Sequence, residues 1–536
     1  MRWKFLAIVL SIFTFYPSAQ ANPMEPIKFL VVQDAGRLKP YDTFARESLQ
    51  LIYGRAKMEG KEASEIIFTW ILAPELWEEK DFVQLKRKDL KEALKLDLKK
   101  DRFSPKELIE NDRINLVMQD LRNKVDAKEK LDPYFQAVQR LDHQLGLFRG
   151  IVAGHLLRLV PPQEGSSWKS LNELDAEGLE KFSRLSRAFM GVVADGGKGA
   201  GEMSEAVKDF KSYAQSQNAE LYPADQLMAI EVHYNELDPF FWAWVSYLLA
   251  AIVMGASMIA TAGQKRWYAL AWIFTLLGVA FHSYGFGLRI YLTGRPPVSN
   301  MYESVVWVSW GTLLFGMIFE WIYRRKYLLL SANIVGVICL IVASLAPTIL
   351  DPSLQPLEPV LRSNMWLTIH VLTITLSYST FFLALLLGDV GLLYFLKDGA
   401  DKKANDLAQA TYRVIQVGVV LLFAGTVLGG IWADYSWGRF WGWDPKETWA
   451  FIAFMGYMAI LHAKKAGYIR NFGFLVSVVV AFSLVVMAWY GVNYVLGVGL
   501  HSYGFGGGGI PFVAAFIAIH LIYIIFAATV YRSKKK

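Results

Sequence analysis

The sequence predicts an all-α, polytopic helical membrane protein with an N-terminal exported, mainly helical domain, and three observations carry that prediction. The 536 residues are 54% hydrophobic and 14% aromatic, too apolar for one soluble domain of that length. From Phe240 onward, nine apolar stretches have roughly bilayer-spanning length, at about 241–261, 267–287, 302–322, 327–349, 366–395, 412–432, 448–463, 472–493 and 511–531. The 448–463 stretch is the shortest. Charge divides along the same line, with 21 basic against 11 acidic residues from Ala243 onward and 34 against 37 before it. The expected organisation is a signal peptide or N-terminal anchor over 1–21, an extracytoplasmic helical domain over 22–238, and a transmembrane domain of about nine helices over 239–536.

At the amino terminus, Arg2 and Lys4 precede the apolar run Phe5 to Tyr16, and Ala19-Gln20-Ala21 has the small-x-small form of a cleavage site. Whether it is cleaved or retained, this segment directs export of residues 22 to about 238. Residues 66–160 then read mostly as helix. Ser104-Pro105-Lys106-Glu107 combines an N-cap, a first-turn proline and a Glu placed to return the bond. Lys86 to Arg102 and Asp112 to Lys130 space Leu, Ile and Val as amphipathic helices do. Acidic residues interleave with the basic ones, which argues against nucleic acid as a partner. Gly191, Gly196, Gly197, Gly199 and Gly201 mark a loop, but no phosphate-loop lysine comes after them. His143, His155 and His233 are scattered and read as ordinary surface or packing residues. The single cysteine, Cys339, rules out an internal disulfide, a CxxC pair and a thiolate zinc site.

Basic clusters occupy every second connection of the membrane region: Lys265 and Arg266; Arg324, Arg325 and Lys326; Lys397, Lys402 and Lys403; Lys464, Lys465 and Arg470; and Arg532 with the terminal lysines. The positive-inside rule puts these in the cytoplasm. The connections 288–301, 350–365, 433–447 and 494–510 then face outward, in agreement with an exported region before the first span. The first of these carries Arg289 and Arg295 against the charge bias, which points to anion recognition or to phospholipid headgroups. Asn300 is placed to cap the next helix and Glu303 to return the bond.

The third outward connection, Trp432 to Trp449, holds five tryptophans in 18 residues: Trp432, Trp437, Trp441, Trp443 and Trp449. An interfacial belt accounts for one or two of them. Asp444-Pro445-Lys446-Glu447 reads as a capped helix start, so the segment is an ordered platform. Flat indole faces between tight glycine turns suit a large planar apolar ligand, with Arg439 and Lys446 placed to neutralise carboxylates on its edge. His370 starts the fifth span and His501 lies in the last outward connection, both at the membrane depth of the tryptophans. Two neutral imidazoles at one depth can take the opposite axial positions of a haem iron, or they can be separate interfacial residues. His462 is at the cytoplasmic end of the seventh span. His282 lies in the second, 15 residues past Trp267 and so about 22 Å further along the helix. His520 is central in the last span and reads as a packing residue bonded to a neighbouring helix.

The stretch Trp437-Gly-Arg439-Phe-Trp441-Gly-Trp443-Asp444-Pro-Lys-Glu-Thr-Trp449 resembles the tryptophan-rich WWD signature of CcsA/ResC-type cytochrome c biogenesis proteins. Gly497-Val-Gly-Leu-His501-Ser-Tyr-Gly is similar to that family's later histidine motif, and Trp366-Leu-Thr-Ile-His370-Val to its earlier one. The likeness covers roughly residues 240–536, with Gln33 to Pro40 and Tyr234-Asn235 as weaker outliers. It implies that His370 and His501 are the catalytic, iron-ligating pair and that haem b (iron protoporphyrin IX) is the bound substrate. Trp437, Arg439, Trp441, Trp443, Asp444 and Trp449 fall on the binding surface, and His462 on an inner-side histidine. The implied activity is a cytochrome c haem lyase component that delivers haem and attaches it to apocytochrome c CxxCH motifs at the outer face of the bacterial cytoplasmic membrane. Implied partners are apocytochrome c, a CcsB/ResB-type membrane protein and a thiol-reducing protein acting on the apocytochrome. Fused members of the family carry a further membrane histidine in their CcsB portion, and no counterpart precedes Phe240 here. Either His282 substitutes or a partner supplies it. The alternatives are a haem exporter without synthase activity and a haem-containing electron-transfer subunit.

Overall fold

The chain folds as two units, Met1–Glu236 and Leu237–Lys536. The computed structural model describes residues 22–129, 131–194, 199–260, 262–347, 349–357, 363–397, 401–499, 501 and 508–534. The expected export segment 1–21, Gly196, Gly197 and Ser502 to Gly507 lie outside the described residues.

The N-terminal unit opens with the hairpin β1 (Val31–Asp34) and β2 (Arg37–Pro40), in register Val31 with Pro40 and Asp34 with Arg37. Its two-residue turn, Ala35-Gly36, has φ of 48° and 77°, as a right-twisted hairpin requires. Helices come next: α1 (Tyr41–Tyr53), α2 (Ala63–Leu72), α3 (Ile114–Asp126), α4 (Pro133–Val152), α5 (Ala176–Ala194), α6 (Ala200–Gln217) and α7 (Asp225–Leu237). Three more short antiparallel ribbons lie among them. Aromatic rings fill the core, where Trp70 meets Phe82 at 5.1 Å and Phe148 at 5.2 Å between centroids.

The expected helix over Asp112 to Lys130 forms as α3, and Ser104 accepts from the Glu107 amide at 3.1 Å. The expected helix over Lys86 to Arg102 does not form as such: only Lys88–Ala93 is helical, and Arg102 pairs with Gln84 in a ribbon. The cause is local. Lys95 turns left-handed at φ 54°, and Asp97 then accepts from the Lys99 amide in a tight turn.

Helix α7, which carries Tyr234 and Asn235, meets the Gln33 to Pro40 hairpin and the start of α1. Arg37 grips Glu231 with two bonds of 2.7 and 2.9 Å, and Thr43 donates to the same carboxylate at 2.8 Å. Asn235 donates to Thr43 at 2.8 Å and to Asp42 at 3.1 Å. Burial holds the Asp42 carboxyl above its ordinary range, and the Arg46 guanidinium offsets this only in part.

The second unit contains α8 (Pro239–Ile259), α9 (Gln264–Thr293), α10 (Met301–Tyr323), α11 (Tyr327–Leu345), α12 (Leu372–Leu396), α13 (Asp401–Trp437), α14 (Pro445–Lys465), α15 (Asn471–Val486) and α16 (Ile510–Ser533). A π-helical turn, Leu367–Val371, leads into α12, and a longer one, Met487–Leu496, extends α15. Among the described residues, eight helices are long and apolar enough to cross a membrane. The expected ninth, α14, has 21 residues, about 31 Å at the helical rise, but ionisable residues at both ends lower its apolarity. Helices α8 to α11 pack together, as do α12 to α15, and α12 joins the groups through α10 and α11.

On α9, polar residues recur every seventh position and each finds a partner. Tyr268 donates to Glu320 at 2.8 Å, Thr275 accepts from Asn333 at 3.0 Å, and Arg289 meets Glu303 at 2.8 Å. His282 is fully buried in that row; its Nε2 donates to the Val306 carbonyl at 3.2 Å and its Nδ1 accepts from Tyr247 at 3.0 Å. His520, expected as a packing residue, sets Nε2 3.3 Å from Asp389 of α12.

Candidate functional site

One end of the second unit forms a half-open cavity, open to the surrounding space at its mouth. The ends of α10, α12, α13, α14 and α15 that form it adjoin connections predicted to face outward. Both His370 and His501 line it.

His370 stands in the π-helical turn before α12, a distortion that often marks functional positions. Its Nδ1 lies 2.8 Å from the Gly425 carbonyl of α13. A carbonyl only accepts, so Nδ1 carries the proton and Nε2 keeps a lone pair. The glycines of α13 make this possible. A Cβ on Gly429 would lie 2.6 Å from His370 Cε1, and one on Gly425 would lie 2.7 Å from Ile374 Cβ. Trp432 presents its ring edge-on to the imidazole at 5.7 Å.

His501 is fixed by a second device. Its Nδ1 donates to Asp444 Oδ1 at 2.8 Å, which again leaves Nε2 as the acceptor and fixes the ring with a carboxylate behind it. Asp444 is held in turn as the N-cap of α14: it accepts from the Lys446 amide at 3.0 Å, while Glu447 returns a bond to the Asp444 amide at 3.2 Å. The capped start expected at this point is therefore present, and it orients a histidine. Gly499, at φ 99°, lets the chain pass; a Cβ there would sit 2.4 Å from Asp444 Oδ2. Trp437 packs edge-on against the His501 ring at 5.2 Å.

The tryptophans do not form one flat platform. Trp441 lines the cavity, together with Trp432 and with Trp489 from the π-helical end of α15. Trp443 is 69% exposed at φ 56° and stands edge-on to Trp441 at 5.8 Å. Trp449 is half-buried and does not line the cavity. Arg439 is engaged by Glu447 at 3.3 Å and lies over the Trp437 ring. Lys446 lines the cavity itself.

Two sequence candidates are not brought to this site. His282 has both nitrogens bonded among α8, α9 and α10. His462 is exposed in the last turn of α14, with Nδ1 2.8 Å from the Met458 carbonyl. The anion-recognition reading of Arg289 and Arg295 is corrected. Both are buried and clamp Glu303 at 2.8 and 2.9 Å, and they also donate to the Pro352 and Gln355 carbonyls. Asn300 does cap α10, but Glu303 returns its bond to Ser299 rather than to Asn300. Sequence reasoning missed Trp489 and Asn493 as cavity residues; the available signal was a Trp, a Gly and an Asn interrupting the last outward turn of an apolar span.

Among the described residues no cluster of three or more His, Cys, Asp or Glu could hold a metal ion. Two imidazoles with free Nε2 atoms suit a metal that brings its own equatorial donors. Residues 298–501 match the family described as Cytochrome C assembly protein, a span that begins and ends on cavity-lining residues. The CcsA cytochrome c biogenesis protein of Parasynechococcus marenigrum is 32% identical over 292 residues, 48% of this chain and 94% of that protein. This chain belongs to the CcsA/ResC-type cytochrome c biogenesis family. The CcsA of Guillardia theta is 36% identical over 253 residues, 41% of this chain and 80% of that protein. Protein NrfI of Wolinella succinogenes is 29% identical over 501 residues, 89% of this chain, so its likeness reaches beyond the membrane unit. The chain spans about half of NrfI, 54% of its length.

Proposed function

We propose that this CcsA-family chain binds haem b as a substrate between His370 and His501 at the outer face of the cytoplasmic membrane and presents it for covalent attachment to the CxxCH motif of apocytochrome c. The observation that carries this reading is the matched state of the two cavity-lining histidines. Each has its Nδ1 engaged, by Gly425 and by Asp444, and each keeps Nε2 for iron. The indole edges of Trp432, Trp441 and Trp489 give the cavity apolar walls for a porphyrin face.

The protein's own contribution is orientation. Attachment forms one carbon–sulfur bond at each vinyl group, at the carbon next to the ring, and the thiol hydrogen ends on the terminal carbon, with no net oxidation. Holding both vinyls beside two thiols converts a bimolecular encounter into an intramolecular one. The apocytochrome histidine then displaces an axial imidazole and releases the product. A CcsB/ResB-type partner completes the assembly, and a thiol-reducing protein keeps the two cysteines as thiols.

The second reading, export of haem without synthesis, draws on His462. It stands at the far end of α14 from Asp444, exposed, with Nδ1 engaged and Nε2 free, as an entry-side ligand would be. Purified protein with its partner, reduced haem and a CxxCH peptide separates the two. Thioether product above background supports the synthase; non-covalent haem transfer alone supports the exporter.

A further inference from the structure

Two cations near the cavity were candidates to meet ligand carboxylates, and the structure separates them. Arg439 is ion-paired with Glu447 and does not line the cavity. Lys446 does. Among the described residues its Nζ reaches only the Trp489 carbonyl, at 3.4 Å, and no carboxylate lies within ion-pair distance of it. The neighbouring carboxylates are already occupied: Asp444 by His501 and the Lys446 amide, Glu447 by Arg439 and the amides of Gly442 and Asp444.

Beside it stands Asn493, only 8% exposed, whose Nδ2 shares the same Trp489 carbonyl at 3.3 Å and whose buried Oδ1 has no donor. A buried acceptor without a donor marks the place of a water or ligand group. Around both lie the apolar surfaces of Tyr378, Trp441, Ala450 and Trp489. A single ammonium in such a wall, with two protons still to donate, calls for an anion.

We propose that Lys446, with Asn493 beside it, is the carboxylate subsite of this cavity and selects a planar ligand by the propionates on one edge. This rests on the haem reading above. The ammonium takes one propionate, a water held by Asn493 Oδ1 completes its shell, and the second propionate turns to the mouth. The carboxylate edge therefore lies at the junction of α14 and α15, and the vinyl edge points away from it. Lys446 thereby acts as a positioning residue, deciding which edge an incoming peptide meets.

The test compares ferric haem with haem dimethyl ester, in which both carboxylates are neutral, by titration of the detergent-solubilised full chain. The wild type is expected to bind haem at least about tenfold more tightly than the ester, as a charge-assisted hydrogen bond implies. Lys446→Met removes that preference with the bis-imidazole spectrum retained, and Lys446→Arg restores it. Equal affinity of the wild type for both probes overturns the proposal, as does loss of the preference in Arg439→Met but not in Lys446→Met. Haem bound through two imidazoles without ester discrimination refutes this subsite alone. Failure of the wild type to bind either probe refutes the haem reading beneath it as well.

Discussion

Gly429→Ala tests how His370 is seated, because the three nearest neighbours of the added methyl group are all atoms of its imidazole. The added Cβ would stand 2.6 Å from His370 Cε1, 3.1 Å from Nδ1 and 3.2 Å from Nε2, close to every part of the ring edge. The imidazole must retreat by about 0.8 Å to reach the shortest ordinary contact of 3.4 Å. That stretches its 2.8 Å bond to the Gly425 carbonyl and displaces Nε2 in the cavity. Overpacking of this kind costs about 1–3 kcal/mol, which, where it falls on the ligand-bound state, is a loss of haem affinity of roughly fivefold to 150-fold. The same change replaces a glycine inside a 37-residue helix, which by itself favours the helix by about 1 kcal/mol. The helix gain offsets that cost only in part, so haem titration and thermal unfolding of the same preparation should give clearly weaker binding with a Tm that is little changed or modestly lowered. Wild-type affinity with an intact bis-imidazole spectrum would refute the argument that the glycine face of α13 seats His370.

Asp444→Asn keeps an N-cap acceptor for α14 but removes the carboxylate behind His501; bound haem is expected to show a higher reduction potential, and an unchanged potential in spectroelectrochemistry would contradict that role. Glu303→Gln removes the carboxylate that the buried guanidiniums of Arg289 and Arg295 both grip, and loss of one partner from a buried ion pair costs about 3–5 kcal/mol. Its detergent-solubilised yield and Tm should fall far more than those of a surface control. In the N-terminal unit, Tyr213 donates to Asp175 at 2.7 Å, and this bond with the Gly178 amide holds the Asp175 carboxyl below its ordinary range. A lowered carboxyl stabilises the fold above its unfolded-state value and loses that contribution as the pH falls through the lowered folded value. Tyr213→Phe should thus cost less than about 1 kcal/mol near neutrality, since solvent screens the exposed Asp175, and less still in acid; a cost that grows toward low pH contradicts the assignment.

The helical membrane architecture was legible because long apolar runs are one-dimensional signals that survive into the fold. The helix start at Asp444 was legible for the same reason, since a cap and its return bond lie within four residues. What the sequence did not disclose was the second task of that cap, because the partner of Asp444 is 57 residues away at His501. Arg289 and Arg295 pointed to anion recognition because they stand in an outward connection against the charge bias, and the partner that explains them, Glu303, reads in sequence as a helix-capping residue. Lys86 to Arg102 kept helical spacing but held no signal strong enough to announce the left-handed Lys95. Nothing local marks the glycines at 425 and 429, whose role is set by the imidazole of His370 and by Ile374, more than 50 residues away in sequence.

The most direct measurement of the central claim is the haem content and axial-ligand spectrum of His370→Ala, His501→Ala, His462→Ala and His282→Ala, each purified with haem supplied in excess. The account predicts that the first two each lose bis-imidazole coordination while His282→Ala retains it, because both nitrogens of His282 are already bonded within the helices. Full bis-imidazole haem in either His370→Ala or His501→Ala, or its loss in a folded His282→Ala, would contradict the account.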